Sequence, residues 1–544
     1  MAERSHVNLA SIVHSFAHAE PARESLLFEG GHAVPDVARS YGQLWRNAQA
    51  LARGLGRRGA GPGSVIAVLM ANHAEFVELM IAAALLRVVL VPIDPRTRGE
   101  KLRFMIANSR ATGLVAADYA LPGAEELLED DAGIEWIAAL ATDEGPGRAM
   151  WAPRVEDYAA LRLVDGDDLP VPADNGEEAM LILHTSGTTG DPKGIVMTHR
   201  RFCDTAAAAL KGFGYRPDDR LYSGLSLTHA NALQVTLAPA LLGGLPVVFS
   251  RRFTRSRLWA LTRKYRCTTF TLLGGMTTTL YAEPPRADDA RNPVRFVVSA
   301  GMPAAIWARF EQRFGVKVLE FYGSAEGGLA IKPLDAGPIG SIGRVAPHFS
   351  YRIVDDTGAE LPRGVAGELW LRPADGSPFR VEYVGNPEAS ARKCAGGWLH
   401  MGDVVREDGD GWLFFEYRQG GGLRRNGDFI NTAYVEKSIA ESGLVRDVFV
   451  YGVPAASGAP GEKDVVAAVV PLDGSTLDVQ ALFRCCRAAL EPNFVPSFVQ
   501  VVPEIPKTAS EKPLERLLIE ALAREPLGVH AEEGARRAGT GAAA

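Results

Sequence analysis

Residues 181–200 read Leu-Ile-Leu-His-Thr-Ser-Gly-Thr-Thr-Gly-Asp-Pro-Lys-Gly-Ile-Val-Met-Thr-His-Arg. The chemistry that such a stretch suits is polyphosphate binding. Thr185, Ser186, Thr188 and Thr189 bring hydroxyl donors and Lys193 a positive charge. Gly187 and Gly190 let the backbone come close to a ligand, because glycine carries no Cβ. The apolar residues 180–183 read as a buried strand end feeding the loop. The spacing is not that of a Walker loop, since no lysine directly follows a suitably spaced glycine pair. A short Gly/Ser/Thr cluster alone fits a polar surface loop equally well, whereas the full string Thr-Ser-Gly-Thr-Thr-Gly-x-Pro-Lys-Gly is far more specific. Farther on, Glu320-Phe321-Tyr322-Gly323-Ser324-Ala325-Glu326-Gly327 follows an expected strand. Tyr322 offers an aromatic face for a purine. Glu326 offers a hard oxygen for Mg²⁺, an ion that needs only one or two protein carboxylates beside nucleotide phosphates.

The string at 185–194 resembles the phosphate loop of the acyl-activating adenylate-forming superfamily, which includes acyl-CoA synthetases, luciferases and peptide-synthetase adenylation domains. The resemblance runs over roughly residues 25–520 and carries further assignments. Ser299-Ala300-Gly301-Met302-Pro303 is similar to the family's adenine-side loop, and residues 320–326 to its adenine and metal stretch. Trp398-Leu399-His400-Met401-Gly402-Asp403 matches the ribose-binding stretch, where the Asp403 carboxylate accepts from both hydroxyls. Arg418 matches the arginine near ribose and phosphate, Gly427 the glycine lining the pantetheine tunnel, and Lys512 the adenylating lysine. His229 and Asn231 fall where the family borders its carboxylate pocket, although a lone histidine is as often structural. Gly274 and Gly275, with Ala300, fall where it lines the acyl pocket; the two glycines either leave room for a bulky acid or simply make a turn.

The resemblance implies a two-step enzyme, an acid–thiol ligase of the acyl-CoA synthetase type. A carboxylic acid and ATP with Mg²⁺ give an acyl-adenylate, and coenzyme A then displaces AMP. The C-terminal domain rotates about a hinge between the steps and exchanges the Lys512 loop for the Gly427 loop. Three positions depart from the family pattern. Glu511 stands where glycine usually precedes the lysine, and a carboxylate there suppresses adenylation by pairing with Lys512 or repelling phosphate. Ala325 replaces the usual threonine, removing one donor near the α-phosphate; one such donor is worth about 10²–10³ in rate. Gly420 and Gly421 replace the hinge Lys-Asp pair. Two readings stay open: a complete ligase that tolerates these changes, and an enzyme that thioesterifies an acyl-adenylate supplied by a separate adenylating enzyme. A stand-alone adenylation enzyme loading a carrier protein, and a non-catalytic adenylate-binding paralogue, are the alternatives.

The elements that must position these residues are those of an α/β protein. At 544 residues the chain is too long for one core. Residues 40–110 alternate helix (41–55), strand (65–70), helix (75–86) and strand (88–93), the rhythm of a parallel sheet under helices. Residues 142–178 read as a surface connection. Residues 340–417 hold short strands with turns, similar to the family's small β subdomain. The expected division is an adenylate- and acyl-binding domain of stacked α/β sheets plus that subdomain (1–417), a hinge (418–422), a mobile α+β domain (423–525) and a disordered tail (526–544). The net charge of −7 leaves no basic footprint for nucleic acid. The five cysteines form no Cys-x-x-Cys pair, which suggests reduced thiols. The N-terminal residues lack a signal-peptide pattern, and the apolar run 79–93, broken by Arg87 and Pro92, is too short to span a membrane. A cytoplasmic enzyme is therefore expected. No acidic residue is placed to grip an amino acid's ammonium group, so the expected substrate is a fatty, aromatic or polycyclic acid.

Overall fold

The computed structural model describes residues 8–31, 34–128, 133–185, 192–419, 423–425, 428–430, 432–455, 463–472, 476–490, 492–508, 511, 513–524 and 528–532. Ser186, Gly187, Thr188, Thr189, Gly420, Gly421, Gly427 and Lys512 lie outside them.

Two large sheets make up most of the chain. In the first, seven strands run in the order Val155–Asp157, Trp136–Leu140, Gly113–Ala117, Val65–Leu69, Val89–Ile93, Ala179–Thr185 and Lys193–Thr198. All neighbours are parallel except the last pair, Ala179–Thr185 and Lys193–Thr198, which is antiparallel. The phosphate-loop stretch thus leaves the C-terminal end of a parallel strand, where ligands of open α/β sheets sit. The second sheet has nine strands, with Glu24–Glu29, Val247–Ser250, Leu221–Ser223, Thr269–Leu273, Phe296–Ala300 and Lys317–Ser324 parallel in sequence across its middle.

Helices pack between the sheets. Ala74–Leu86 is apolar except for Glu75 and Glu78, and eleven of its residues are buried, Glu78 among them and paired with Arg39; a helix so nearly apolar must be covered almost all round. Its neighbour Tyr41–Arg57 carries one apolar stripe. It starts on a capping box in which Ser40 and Gln43 each satisfy the other's backbone N–H. A single apolar cluster, from Leu9 to Val318, joins helices and both sheets. A second cluster, from Ala67 to Ile182, takes the alternate residues of the first sheet's strands and covers its other face.

The four strands Phe349–Val354, Gly367–Pro373, Leu399–Glu407 and Leu413–Arg418 form an antiparallel sheet with its own core. Beyond it, Val445–Pro454, Lys463–Pro471, Phe498–Val501 and Val529–Ala531 form a smaller sheet, with Thr432–Glu441 and Val479–Ala489 packed on one face.

Three expectations need correction. Residues 142–178 are more than a connection, because Val155–Asp157 is the edge strand of the seven-stranded sheet. The apolar helix after His229 opens as a π-helix, Asn231–Leu237. Within the expected tail, Val529–Ala531 pairs antiparallel with Phe498–Val501, so the backbone of that segment is satisfied by the sheet. No helix of the described residues is long and apolar enough to cross a membrane.

Candidate adenylate site

Asp403 and Arg418 sit opposite each other on neighbouring antiparallel strands. The register alone brings a carboxylate and a guanidinium together, with Arg418 Nη1 3.6 Å from Asp403 Oδ1. The Tyr322 hydroxyl reaches in from the nine-stranded sheet and donates to Asp403 Oδ2 at 2.5 Å. Asp403 is only 4% exposed, and its Oδ1 takes no hydrogen bond among the described residues. Burial pushes the Asp403 carboxyl upward, while Arg418 and the Tyr322 hydroxyl pull it back. A buried acceptor left open beside an exposed arginine is costly unless a ligand's donors fill it.

Glu326 lies one turn beyond Tyr322. It is buried, and the Tyr383 hydroxyl donates to its Oε1 at 2.8 Å. Burial pushes the Glu326 carboxyl upward, but the positive field of Lys393, helped by the Tyr383 bond, outweighs this and holds the carboxyl below its ordinary range. One charged, partly shielded carboxylate beside a nucleotide is what Mg²⁺ requires, since phosphate and water oxygens complete its shell. Glu326 would hold the ion. The neighbouring Ala325 carbonyl accepts from the part-buried Arg201 guanidinium, which holds the turn.

The loop Gly301–Pro303, expected on the adenine side, is held by Glu320. Gly301 has φ +93°, a conformation that favours glycine. The Gly301 and Met302 N–H groups both donate to Glu320, which is 2% exposed. Burial pushes the Glu320 carboxyl up to about 8 against the pull of those bonds. Glu320 therefore supports the loop, and its own carboxylate is turned inward. Phe321 is likewise buried, packed 5.6 Å from Phe213. Ser324 Oγ donates to the Gly327 carbonyl at 3.1 Å, closing the turn. Pro303 caps the helix Ala304–Phe314.

Of the phosphate-loop residues, Thr185 ends its strand and pairs in register with Lys193, which opens the next. Lys193 Nζ stands 5.4 Å above the Tyr383 ring, so the loop lysine and the Glu326 partner share a wall. On the acyl side, Leu273 pairs with Ala300 across parallel strands. Gly274 and Gly275 then begin the helix Gly274–Tyr281 rather than a free turn. His229 Nδ1 accepts from the Asn231 backbone N–H at 3.3 Å, and Asn231, 7% exposed, has an Oδ1 without a hydrogen bond among the described residues. Glu511 has φ +61° and is partly buried. Burial raises its carboxyl, opposed by the charges of Lys507 and Arg96. Arg96 Nη1 donates to the Lys507 carbonyl at 3.5 Å, a bond that bridges the first sheet's loop and the C-terminal segment.

Tyr322, Asp403 and Arg418 are thus brought together, as are Glu326, Tyr383 and Lys193. The family pattern of AMP-binding enzymes matches residues 14–376, and that of the AMP-binding enzyme C-terminal domain matches 434–512. The chain belongs to the AMP-binding enzyme family. Among curated relatives of this family member, a crotonobetaine/carnitine–CoA ligase of Escherichia coli O7:K1 is 28% identical over 470 residues, covering 84% of this chain and 88% of that one. The long-chain fatty acid transport protein 1 of Bos taurus is 29% identical over 539 residues, covering 94% and 82%. A benzoate CoA ligase from Burkholderia xenovorans LB400 superposes with a TM-score of 0.79 at 21% identity, covering 94% of this chain and 99% of that one. That likeness is one of fold, and it agrees with the expected α/β architecture of a large N-terminal unit followed by a smaller C-terminal one.

Tyr383, Arg201 and Lys393 are not legible in the sequence as neighbours of Glu326. Each comes beside residues 325–326 through a tertiary contact that no spacing within the chain encodes. The nearest signal was Asn386-Pro387, a helix start placed just after Tyr383.

Proposed function

We propose that this AMP-binding enzyme is an acyl-CoA ligase. A carboxylate oxygen attacks the α-phosphorus of ATP and pyrophosphate leaves. The thiol sulfur of coenzyme A then attacks the acyl carbonyl, AMP leaves, and the thiol proton passes to solvent. The observation that carries this reading is the open, buried Asp403 Oδ1 between the Tyr322 hydroxyl and Arg418. It suits a ribose diol, with Gly301–Pro303 and Tyr322 bordering the base. Glu326 would hold the Mg²⁺ that offsets phosphate charge, and Thr185 and Lys193 flank the phosphate loop. The CoA ligases among its relatives support a free carboxylic acid and CoA as the substrates.

Glu511 favours a second reading, in which adenylation is restrained and the acyl-adenylate comes from a separate enzyme. A non-glycine residue in the left-handed region costs about 1–2 kcal/mol. Here that residue also brings a negative charge next to Lys512, against the phosphate on which the lysine must act. Exchange of pyrophosphate into ATP over a panel of fatty, aromatic and polycyclic acids separates the two readings. Exchange by the native protein supports the complete ligase. Exchange only by Glu511→Gly supports the restrained one. No exchange by either, together with no thioester from synthetic acyl-adenylates and CoA, would refute both.

A further inference from the structure

The cleft contains a cation that the reaction above does not use. Residues 382–384 pair with the strand that returns from the phosphate loop: Val196 N–H donates to the Glu382 carbonyl at 2.9 Å, and Val384 N–H to the Gly194 carbonyl at 2.8 Å. Tyr383, on that segment, holds Glu326. The helix Pro387–Lys393 follows at once. Asn386 caps it by accepting from Ala389 N–H, and Ser390 Oγ accepts from Tyr383 N–H at 2.9 Å. At the helix's other end, Lys393 Nζ donates to the Met401 carbonyl at 3.3 Å, two residues before Asp403. The helix therefore spans from the Glu326 side of the cleft to the Asp403 side, and its last residue is a lysine.

The surroundings of that ammonium are informative. Glu326, Asp403 and Glu368 act on it as negative neighbours and Arg418 as a positive one. Among the described residues, Lys393 makes no ion pair with any of these carboxylates, and Met401 is its one hydrogen-bond acceptor. Glu326 and Asp403 are instead bonded by Tyr383 and Tyr322. An ammonium carries three donors. A half-buried one that bonds a single carbonyl keeps the other two for something else, and partial desolvation strengthens whatever anion it meets.

We propose that Lys393 is a further lysine of the nucleotide site, beside Lys193 and Lys512, binding the phosphate of AMP and of the acyl-adenylate from the subdomain side. The inference rests on the adenylate reading of the cleft. It gives the N-terminal unit a phosphate cation beyond Lys193, one that stays in place when the loop carrying Lys512 is elsewhere. That is the situation in which a delivered acyl-adenylate must be held for attack by CoA.

The test compares AMP with 5′-sulfamoyladenosine, which keeps base and ribose and lacks the phosphate charge. Binding of each is measured by calorimetry to the native protein, Lys393→Met and Lys393→Arg. The expected result is an AMP affinity lowered about tenfold or more in Lys393→Met, little change for sulfamoyladenosine, and recovery of AMP binding in Lys393→Arg. Equal loss of both ligands in Lys393→Met would mean that the lysine only organises Glu326 and its neighbours, and unchanged AMP affinity would mean that it does not meet phosphate; either overturns the proposal while leaving the cleft an adenylate site. Failure of the native protein to bind either ligand would refute the adenylate reading itself.

Discussion

Asp403 shows what a single residue contributes. Its identity was readable from the Gly402-Asp403 motif. Its readiness for a ligand was not, because that depends on Tyr322 taking one oxygen and on no other described residue bonding the second. Asp403→Ala removes the acceptor and leaves the Tyr322 hydroxyl without its partner. A hydrogen bond to a charged group is worth about 1.5–3 kcal/mol, so AMP affinity should fall about 10–150-fold in a calorimetric titration. An unchanged affinity would place the ribose elsewhere. Glu511 belongs to the same scale. Its type raised the idea of suppressed adenylation, and its φ of +61° adds that the loop takes a shape suited to glycine. Glu511→Gly should raise pyrophosphate exchange at least about tenfold, the effect of removing ~1.4 kcal/mol from the barrier. A variant with exchange equal to or below that of the native protein would show that the carboxylate is not the brake.

Elements decide where these residues meet. The pairing of the strand Lys193–Thr198 with residues 382–384 is central, since it sets the phosphate-loop lysine beside Tyr383 and, through it, Glu326. Gly194 lies at that junction. A Cβ there would stand 2.8 Å from Ile182 Cγ2 and 3.2 Å from both Asn108 Oδ1 and His184 Nε2. Gly194→Ala should therefore cost about 1–3 kcal/mol by overpacking, seen as a lower denaturation midpoint with a weaker AMP affinity. A loss of stability without loss of affinity would uncouple the ladder from the site. The long helices and central strands were legible because apolar period and length agree, as in Tyr41–Arg57 and Val247–Ser250. The edge strand Val155–Asp157 was not, because three residues carry no period. The π-helix Asn231–Leu237 was not either, because one extra residue per turn leaves the same apolar composition.

At the scale of the whole molecule, burial of charge couples the fold to pH. Glu320 and Glu436 are pushed up to about 8 and about 7 by desolvation. Both keep protons in the folded state that the unfolded chain has released, so their stabilisation is complete below about 4.5 and is lost as pH rises through 7–8. Each contributes a slope of up to about 1.4 kcal/mol per pH unit. His73, His184 and His199 are held down at about 4, again by desolvation. The unfolded chain takes up their protons first, so their contribution is complete above about 6.5 and is lost as pH falls toward 4. Thermal denaturation should thus show greatest stability near pH 6.5, and Glu320→Gln should flatten the alkaline limb. An unaltered limb in that variant would remove Glu320 as its source. The two-sheet architecture and its smaller C-terminal partner were foreshadowed by the βαβ rhythm and the family motifs. The bridge from Arg96 to the Lys507 carbonyl was not, since it joins residues more than four hundred apart. The most direct test of the whole account is to mix the protein with synthetic acyl-adenylates and CoA and to follow loss of free thiol together with release of AMP. The account predicts equal amounts of thioester and AMP from at least one acyl class, with both lost in Asp403→Ala. Thiol left unconsumed and no AMP released across the panel would contradict it.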